Sequence, residues 1–573
     1  MFEKQKLKEM FNFTTNKKKT IQRSIFELFQ ITPIIVYQFV LSKSIDNYIP
    51  NNNIKFAIII CYFYILYIWI RIFLFNYYLE KQRSIICYDN DKQIKNKIFQ
   101  SIQEAKIIEL DKIQVGNLFS LSTTQSFDAA RLFIMNFLGL FAYRLKSIII
   151  TFIIMLFIDW KIALVILLIF SISYIILIPF YNKNMRIFKK LQQTIIDLQG
   201  KVNEYIDSFS TTKTLRLEET NISDIKKMLE KSKKELIESS KIIGLHTAIF
   251  SLLTFTATIA TLIIGGNKIL LGIGLASSIL LILDYINDIN GHMKGVLDHY
   301  HEAINKYNAF LNVLSIMNID KEIDEGTLLL ENVNSIEFKD VSLSYDGVNS
   351  ILENINLKID SPKTIAIVGK SGAGKTSFVN LIPRFYDLKK GEILINGTNY
   401  KEYKLSELRK NISYVFQEPV ILNMSIKENL MYGNENVNFE DIVKLCRTVG
   451  IHEKINHFKN GYDTIINCDT DLLSYGEKQL LSYVRAILKN GDIVILDEVT
   501  SNLDLNFEKY VMDATKQILK NKISFVIAHR LNTIKNSDLI IFIEDKKIME
   551  IGTHQELIKK QGLYYNLYMS KNK

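Results

Sequence analysis

The 573-residue sequence predicts two domains of different class: an N-terminal all-α transmembrane domain and a C-terminal α/β domain built around a phosphate-binding loop. Three observations predict this. Apolar residues form runs of spanning length before about residue 290 and only strand-length runs after it. A cluster of cations, Lys4, Lys6, Lys8, Lys17, Lys18, Lys19 and Arg23, stands directly before the first long run. Further on, residues 365–368 are an apolar strand that enters Gly369-Lys370-Ser371-Gly372-Ala373-Gly374-Lys375-Thr376-Ser377, a glycine-rich turn opening into a helix. A chain this long exceeds a single core.

Residues 1–24 form a basic segment. The net charge of +10 is explained by lysines flanking membrane spans on the cytosolic side and by attraction to anionic lipid headgroups, so membrane lipid is an expected partner and nucleic acid is not. Cys61, Cys87, Cys446 and Cys468 are scattered with no C-x-x-C pair, which argues against a zinc site or a disulfide framework. No small-residue cleavage site follows the first apolar run, so a cleavable signal is not expected.

Six spans are predicted within the transmembrane domain, 25–294: residues 25–40 extending toward 45, 54–79, 131–158, 162–181, 242–265 and 269–289. The first carries Glu27, Gln30 and Pro33, yet counting it returns the C-terminus to the lysine-rich side. The connections between the second and third spans and between the fourth and fifth are long and fall on one side. Apolar residues recur there at helical spacing, as in Leu191, Ile195 and Leu198 of the run 191–198, which predicts long cytosolic extensions of the spanning helices. Arg71, Arg144 and Asp284 fall within spans, where charge is costly, and are candidates to line a substrate cavity; the plainer alternative is pairing or snorkelling within the bundle.

Residues 295–333 read as a polar linker and 334–573 as the phosphate-binding domain. Residues 336–339 and 341–345 are expected as antiparallel strands, and 365–368, 493–496, 525–528 and 539–543 as parallel ones. Glycines at 369, 372 and 374 let successive N–H groups converge on an anion, and the helix opening at Lys375 adds its positive end. In this motif Lys375 reaches the β- and γ-phosphates and the Thr376 hydroxyl ligates Mg²⁺. The strand 493–496 ends in Asp497-Glu498: Asp497 is placed to hold Mg²⁺, and Glu498 to polarise an attacking water.

Shortly before that strand, Asp471-Leu472-Leu473-Ser474-Tyr475-Gly476-Glu477-Lys478-Gln479 resembles the signature motif of ATP-binding cassette transporters. The remaining motifs follow in the matching order. Tyr345 resembles the adenine-stacking aromatic, Gln417 the Q-loop glutamine, Ser501-Asn502-Leu503-Asp504 the D-loop and His529 the switch histidine. Six spans followed by one cassette resemble an exporter-type half-transporter. The resemblance implies ATP and Mg²⁺ as cofactors, with ATP held by Tyr345 and the loop Gly369, Lys370, Ser371, Gly372, Ala373, Gly374, Lys375, Thr376 and Ser377. It implies Mg²⁺ at Thr376, Gln417 and Asp497, catalysis by Glu498, His529 and Gln417, and a D-loop contact from Asp504. It also implies a helical subdomain whose Ser474, Gly476 and Glu477 face the ATP of a second cassette, and coupling helices within 116–130 and 204–218.

The likeness further implies a multi-pass protein of the cell membrane with a cytoplasmic cassette. It would act as a dimer, a homodimer ahead of a heterodimer, to export a small molecule, lipid or peptide. Four features depart from the family pattern: Tyr475 and Glu477 stand where Gly and Gln are usual, Asn502 where Ala is common, and Asn467-Cys468-Asp469 where exporters carry a Gly-Glu segment. The Glu477 carboxylate is expected to be solvated. Rival readings are a lipid flippase or an exporter-fold importer, and, from another class, a nucleotide-sensing membrane regulator that does not pump; intact Glu498 and His529 argue against the last. The spans exclude a soluble cassette acting on DNA or ribosomes.

Overall fold

A computed structural model describes residues 54–113, 115–131, 144–272, 275–434, 437–467, 472–497, 505–528 and 534–571, together with Lys18, Gln22, Gln38 and Ser42. The chain divides into two compact units: Met1–Ile102 with Val115–Asn318, and Gln103–Gln114 with Ile319–Lys573. The expected first span, residues 25–45, lies outside the described residues apart from two isolated positions.

The first unit is helical. It begins with α1 (Ile54–Glu104), whose last two residues pass into the second unit together with α2 (Ile107–Leu110). It resumes with α3 (Val115–Ser120), a π-helical turn (Leu121–Gln125), α4 (Ser126–Arg131), α5 (Lys146–Ile158), α6 (Trp160–Asp207), α7 (Phe209–Leu215), α8 (Glu218–Leu270) and α9 (Ala276–Met317). Local chemistry sets the breaks. Asp159 is extended and its carboxylate accepts the N–H groups of Lys161 and Ile162, capping α6, while Arg216 closes α7 in the left-handed region at φ 54°. Pro179 lies inside α6 without ending it. Met155, Ile162, Ala163, Ile166, Ala257, Ile282, Tyr285 and Ile286 form the buried seam of α5, α6, α8 and α9.

The opposite faces are apolar and uncovered: Trp69 is 73% exposed, Phe73 75% and Phe157 85%. Surfaces of that kind fit a lipid solvent. Among the described residues, α6 and α8 are long and apolar enough to cross a bilayer by length and composition. Of the expected extensions, those of α1, α6 and α8 are continuous helix, whereas residues 105–131 are broken into α2, α3, the π-helical turn and α4. With 51 residues, α1 runs to about 75 Å, more than twice the ~30 Å hydrocarbon core.

Two boundaries differ from the sequence reading. Residues 269 and 270 end α8 instead of opening the sixth span, because Gly272 turns the chain at φ 73°. The stretch 295–333, read as a linker, is helical as far as Met317 in α9, so the change of unit falls at Asn318.

The second unit holds β1 (Ile336–Ser344), β2 (Ser350–Ile359), β3 (Thr364–Val368), α10 (Lys375–Val379), β4 (Lys390–Ile395), β5 (Thr398–Asn399), α11 (Leu405–Lys410) and β6 (Ile412–Val415). Then come β7 (Met424–Ser425), α12 (Ile426–Met431), α13 (Phe439–Thr448), α14 (His452–Asn456), β8 (Ile465–Ile466) and α15 (Tyr475–Lys489), which form the helical subdomain. The chain returns through β9 (Ile493–Asp497), α16 (Leu505–Leu519), β10 (Ile523–Ile527), β11 (Leu539–Glu544), β12 (Lys547–Gly552), α17 (His554–Lys560) and α18 (Leu563–Lys571).

Strands β2-β1-β4-β5 make an antiparallel sheet, and β12-β11-β3-β10-β9-β6 a second sheet in which β11, β3, β10, β9 and β6 run parallel. The two strands expected at 336–345 are one: the register shifts after Phe338, where Asp340 takes φ 50° and bulges the strand without ending it. Its partner β2 and the edge strands β6 and β12 were not among the expected strands.

Behind the phosphate loop, Phe378 of α10 is fully buried, its ring 4.9 Å from Phe338 and 6.2 Å from Phe525, so it joins both sheets. Phe378→Ala should destabilise the cassette by about 3–5 kcal/mol. Thermal unfolding of the full chain in detergent checks this, and a change under about 1 kcal/mol would mean that the rings do not join the sheets energetically.

Candidate nucleotide site

The site forms where parallel strands end. Ile527 of β10 pairs with Ile367 of β3 on one side and Asp497 of β9 on the other, so the carboxyl ends of three neighbouring strands stop level. Ligands of open α/β sheets bind along that edge. The first strand enters the glycine loop, the second leads toward His529 and the third ends in Asp497.

Gly374 holds φ 93° at the start of α10, a region closed to most side chains. At Gly369 a Cβ would stand 2.2 Å from the Ile543 carbonyl oxygen, so the loop can pass β11 only without a side chain. On the other side of the loop, Lys370 pairs with Glu544 at the end of β11, which holds its ammonium above the ordinary lysine range. The Lys375 side chain is buried, its Nζ donating to the carbonyls of Gly369 at 3.1 Å and Lys370 at 2.9 Å. Thus the ammonium is already over the loop that would receive an anion. Thr376 is exposed on the first turn of α10, and Asp497 is 4% exposed at the end of β9.

Tyr345 stands beside this loop. Its hydroxyl donates to Ser377 Oγ at 2.8 Å, and its ring, 37% exposed, lies 4.7 Å from that of Tyr386. Burial pushes the Tyr386 phenol up to about 12. The sequence reading did not single out Tyr386, because the aromatic pair Phe385-Tyr386 belongs to none of the motifs and carries no spacing signal.

Gln417 is exposed just beyond β6, and its backbone carbonyl accepts from the Tyr475 hydroxyl at 2.7 Å. The signature residues open α15. Ser474 is the N-cap: its Oγ accepts the Glu477 N–H at 3.3 Å, and Glu477 Oε2 accepts the Ser474 N–H at 2.8 Å. That reciprocal pair is a capping box. The expectation of a solvated Glu477 is therefore corrected: the residue is 7% exposed, and Lys454 Nζ lies 3.6 Å from its other oxygen. The spacing Ser-x-x-Glu could have revealed it.

Glu498, His529 and Asp504, with the other D-loop positions Ser501, Asn502 and Leu503, lie outside the described residues. Of the cavity candidates, Arg71 lies on α1, Arg144 donates to the Gly291 carbonyl of α9 at 3.4 Å, and Asp284 accepts from Gln38. The segment that joins the cassette unit is upstream of the expected 116–130. Lys106 N–H donates to the Asp320 carbonyl at 2.9 Å, Lys106 Nζ pairs with Asp387 at 2.8 Å, and Tyr386 donates to Asp111 at 3.5 Å, which fixes α2 to that unit. Within 204–218 the structure has the short helix α7.

Residues 352–501 match the ABC transporter family, and residues 25–292 match the ABC transporter transmembrane region. A relative from Desulfotalea psychrophila, an ATP-dependent lipid A-core flippase, is 32% identical over 415 residues, 72% of each chain. The chain belongs to the ABC transporter family. A putative multidrug export ATP-binding/permease protein of Staphylococcus aureus is 29% identical to this transporter over 508 residues, 87% of this chain and 86% of that one. In fold the transporter is similar to a bacterial Atm1-family ABC exporter solved with ATP bound, at a TM-score of 0.83 and 19% identity, covering 97% of this chain and 98% of that one. It is thus a half-transporter, one transmembrane domain fused to one ABC ATPase domain that hydrolyses ATP to drive export.

Tyr345→Ala should weaken ATP binding by about 1–3 kcal/mol, the scale of base stacking on an aromatic ring. Nucleotide titration of the full chain without turnover measures it. An unchanged affinity would leave Tyr345 as a packing residue against Tyr386.

Proposed function

We propose that this transporter exports an amphipathic small molecule, lipid or peptide across the cell membrane as a homodimer, with its cassette on the cytoplasmic side. The observation that supports this is the level edge carrying the glycine cradle, buried Lys375 and buried Asp497, on a chain whose long helices turn apolar faces outward. A lipid is the sharper form of the reading. The relative sharing 32% identity is named as a lipid A-core flippase, and the exposed apolar helix faces are suited to admitting an amphipath from the bilayer.

In two cassettes apposed head to tail, Lys375 and the loop N–H groups of one chain hold the phosphates while Tyr345 stacks on adenine. Ser474 and Gly476 of the other chain face the γ-phosphate, so neither chain alone completes a site. Glu498 orients and deprotonates the attacking water, and His529 donates to a γ-phosphate oxygen. Thr376, Gln417 and Asp497 offer a hydroxyl, an amide oxygen and a carboxylate, an all-oxygen set that fits a hard cation. Mg²⁺ held there would neutralise charge on the β- and γ-phosphate oxygens. Closure of the cassettes would move α2 and α7, and with them the spanning helices.

Glu498→Gln should retain ATP binding and lose steady-state hydrolysis by about 10²-fold or more, because only the water-orienting carboxylate changes. Near-normal turnover would remove Glu498 from the mechanism. The homodimer rests on retained Ser474 and Gly476. Purified alone in lipid, the chain should show substrate-stimulated ATPase activity; turnover that appears only after a second cassette chain is added would replace the homodimer with a heterodimer.

A further inference from the structure

The residue that departs furthest from the family signature is Tyr475, where glycine is usual, and in this structure it is engaged. Its hydroxyl donates to the Gln417 carbonyl at 2.7 Å, across 58 positions of sequence. Two more side chains of α15 reach the same segment. Gln479 Nε2 donates to the Phe416 carbonyl at 3.5 Å, and Arg485 donates to the Val420 carbonyl at 3.1 Å. Tyr475 and Gln479 are four residues apart, hence on one helix face.

The bond of Tyr475 is the shortest of the three and lies nearest the start of α15. It grips the one residue of the segment whose side chain has a proposed role in the nucleotide site. A phenol is protonated at neutral pH even in its ordinary range, so the hydroxyl is a donor here.

We infer that Tyr475 is a positioning residue for the Q-loop: its hydroxyl fixes the backbone at Gln417 to the first turn of the signature helix, so that Gln417 and Ser474 move as one body. The same helix end would present Ser474 to the nucleotide of the second chain, while Gln417 serves the nucleotide of its own. Through Tyr475, the placement of Gln417 at one ATP therefore follows the placement of the signature at the other. A glycine at this position has no side chain with which to make that tie. The functional half of the inference rests on the proposed Mg²⁺ role of Gln417; the mechanical half rests on the hydrogen bond alone.

The test uses the full-length transporter in lipid nanodiscs with Tyr475→Phe, which removes one oxygen and keeps the ring, and with Gln417→Ala as reference. Amide hydrogen exchange across residues 416–420 should speed up about three- to ten-fold in Tyr475→Phe, the range expected for one lost hydrogen bond. Exchange there equal to wild type overturns the inference whatever Gln417 does. In turnover assays Tyr475→Phe should raise the Mg²⁺ concentration for half-maximal rate by a similar factor, with kcat at saturating Mg²⁺ and ATP affinity in EDTA held near wild type. A general packing defect would instead lower kcat and ATP affinity together, and that outcome also overturns it. If Gln417→Ala itself leaves the Mg²⁺ dependence unchanged, the metal role of Gln417 falls, and the exchange measurement alone decides whether Tyr475 holds the loop.

Discussion

The constraint on which the cassette depends is that backbone N–H groups must be aimed at an anion instead of being consumed by a strand or helix. The stretch between β3 and α10 meets it by leaving regular structure for six residues, 369–374. Every other placement follows from holding that loop still. Lys375 lies across its carbonyls, Lys370 ties it to Glu544, and Phe378 anchors the following turn between Phe338 and Phe525. A loop with orphan donors is intrinsically unstable. Its rigidity here comes from neighbours on both sheets: the antiparallel sheet supplies Phe338, ends β1 directly before Tyr345 and sets Leu352 of β2 against Gly374.

How legible each part was in the sequence follows from how local its cause is. The cradle could be read because its spacing is complete within nine residues, and the strand before it because four consecutive apolar residues precede a glycine. Strand β2 was readable in principle, since Ile355, Leu357 and Ile359 alternate and are all buried, but its first half, with Asn354 at φ 52°, breaks the alternation. Strand β6 is only four residues long and is recognisable chiefly by its place beside β9. The C-terminal part of α9 was hidden for another reason: beyond residue 294 polar residues enter the helix, and the run of apolar residues that marks a span disappears.

Contacts across long sequence separation were the least legible. Tyr475 and Gln417 each belong to a motif read correctly as a motif, and nothing in either motif states that one side chain reaches the other's carbonyl. Segment 103–114 shows the same limit. Its attachment depends on Lys106 and Asp111 meeting Asp387 and Tyr386, pairs about 280 positions apart, and charge alone does not distinguish it from the adjoining residues 116–130.

The altered signature is easier to understand once its helix cap is considered. A free carboxylate at residue 477 would compete with phosphate for the positive end of α15. It does not stand free to do so: one oxygen is spent on the Ser474 N–H, the other faces Lys454, and the side chain is buried. Ser474 is left with what a phosphate contact needs. Its Oγ accepts one N–H from Glu477, and a hydroxyl that accepts still has its proton to donate. The capping box therefore fixes where the oxygen sits without using the donor. Glutamine at 477 would offer the same amide-oxygen bond to Ser474 but no charge for Lys454, so glutamate ties the signature to α14 as well as to itself. On this account the acidic substitution strengthens the support of the signature and leaves its hydrogen-bond donor intact, whereas the substitution to Tyr475 adds a connection that the usual residue cannot make.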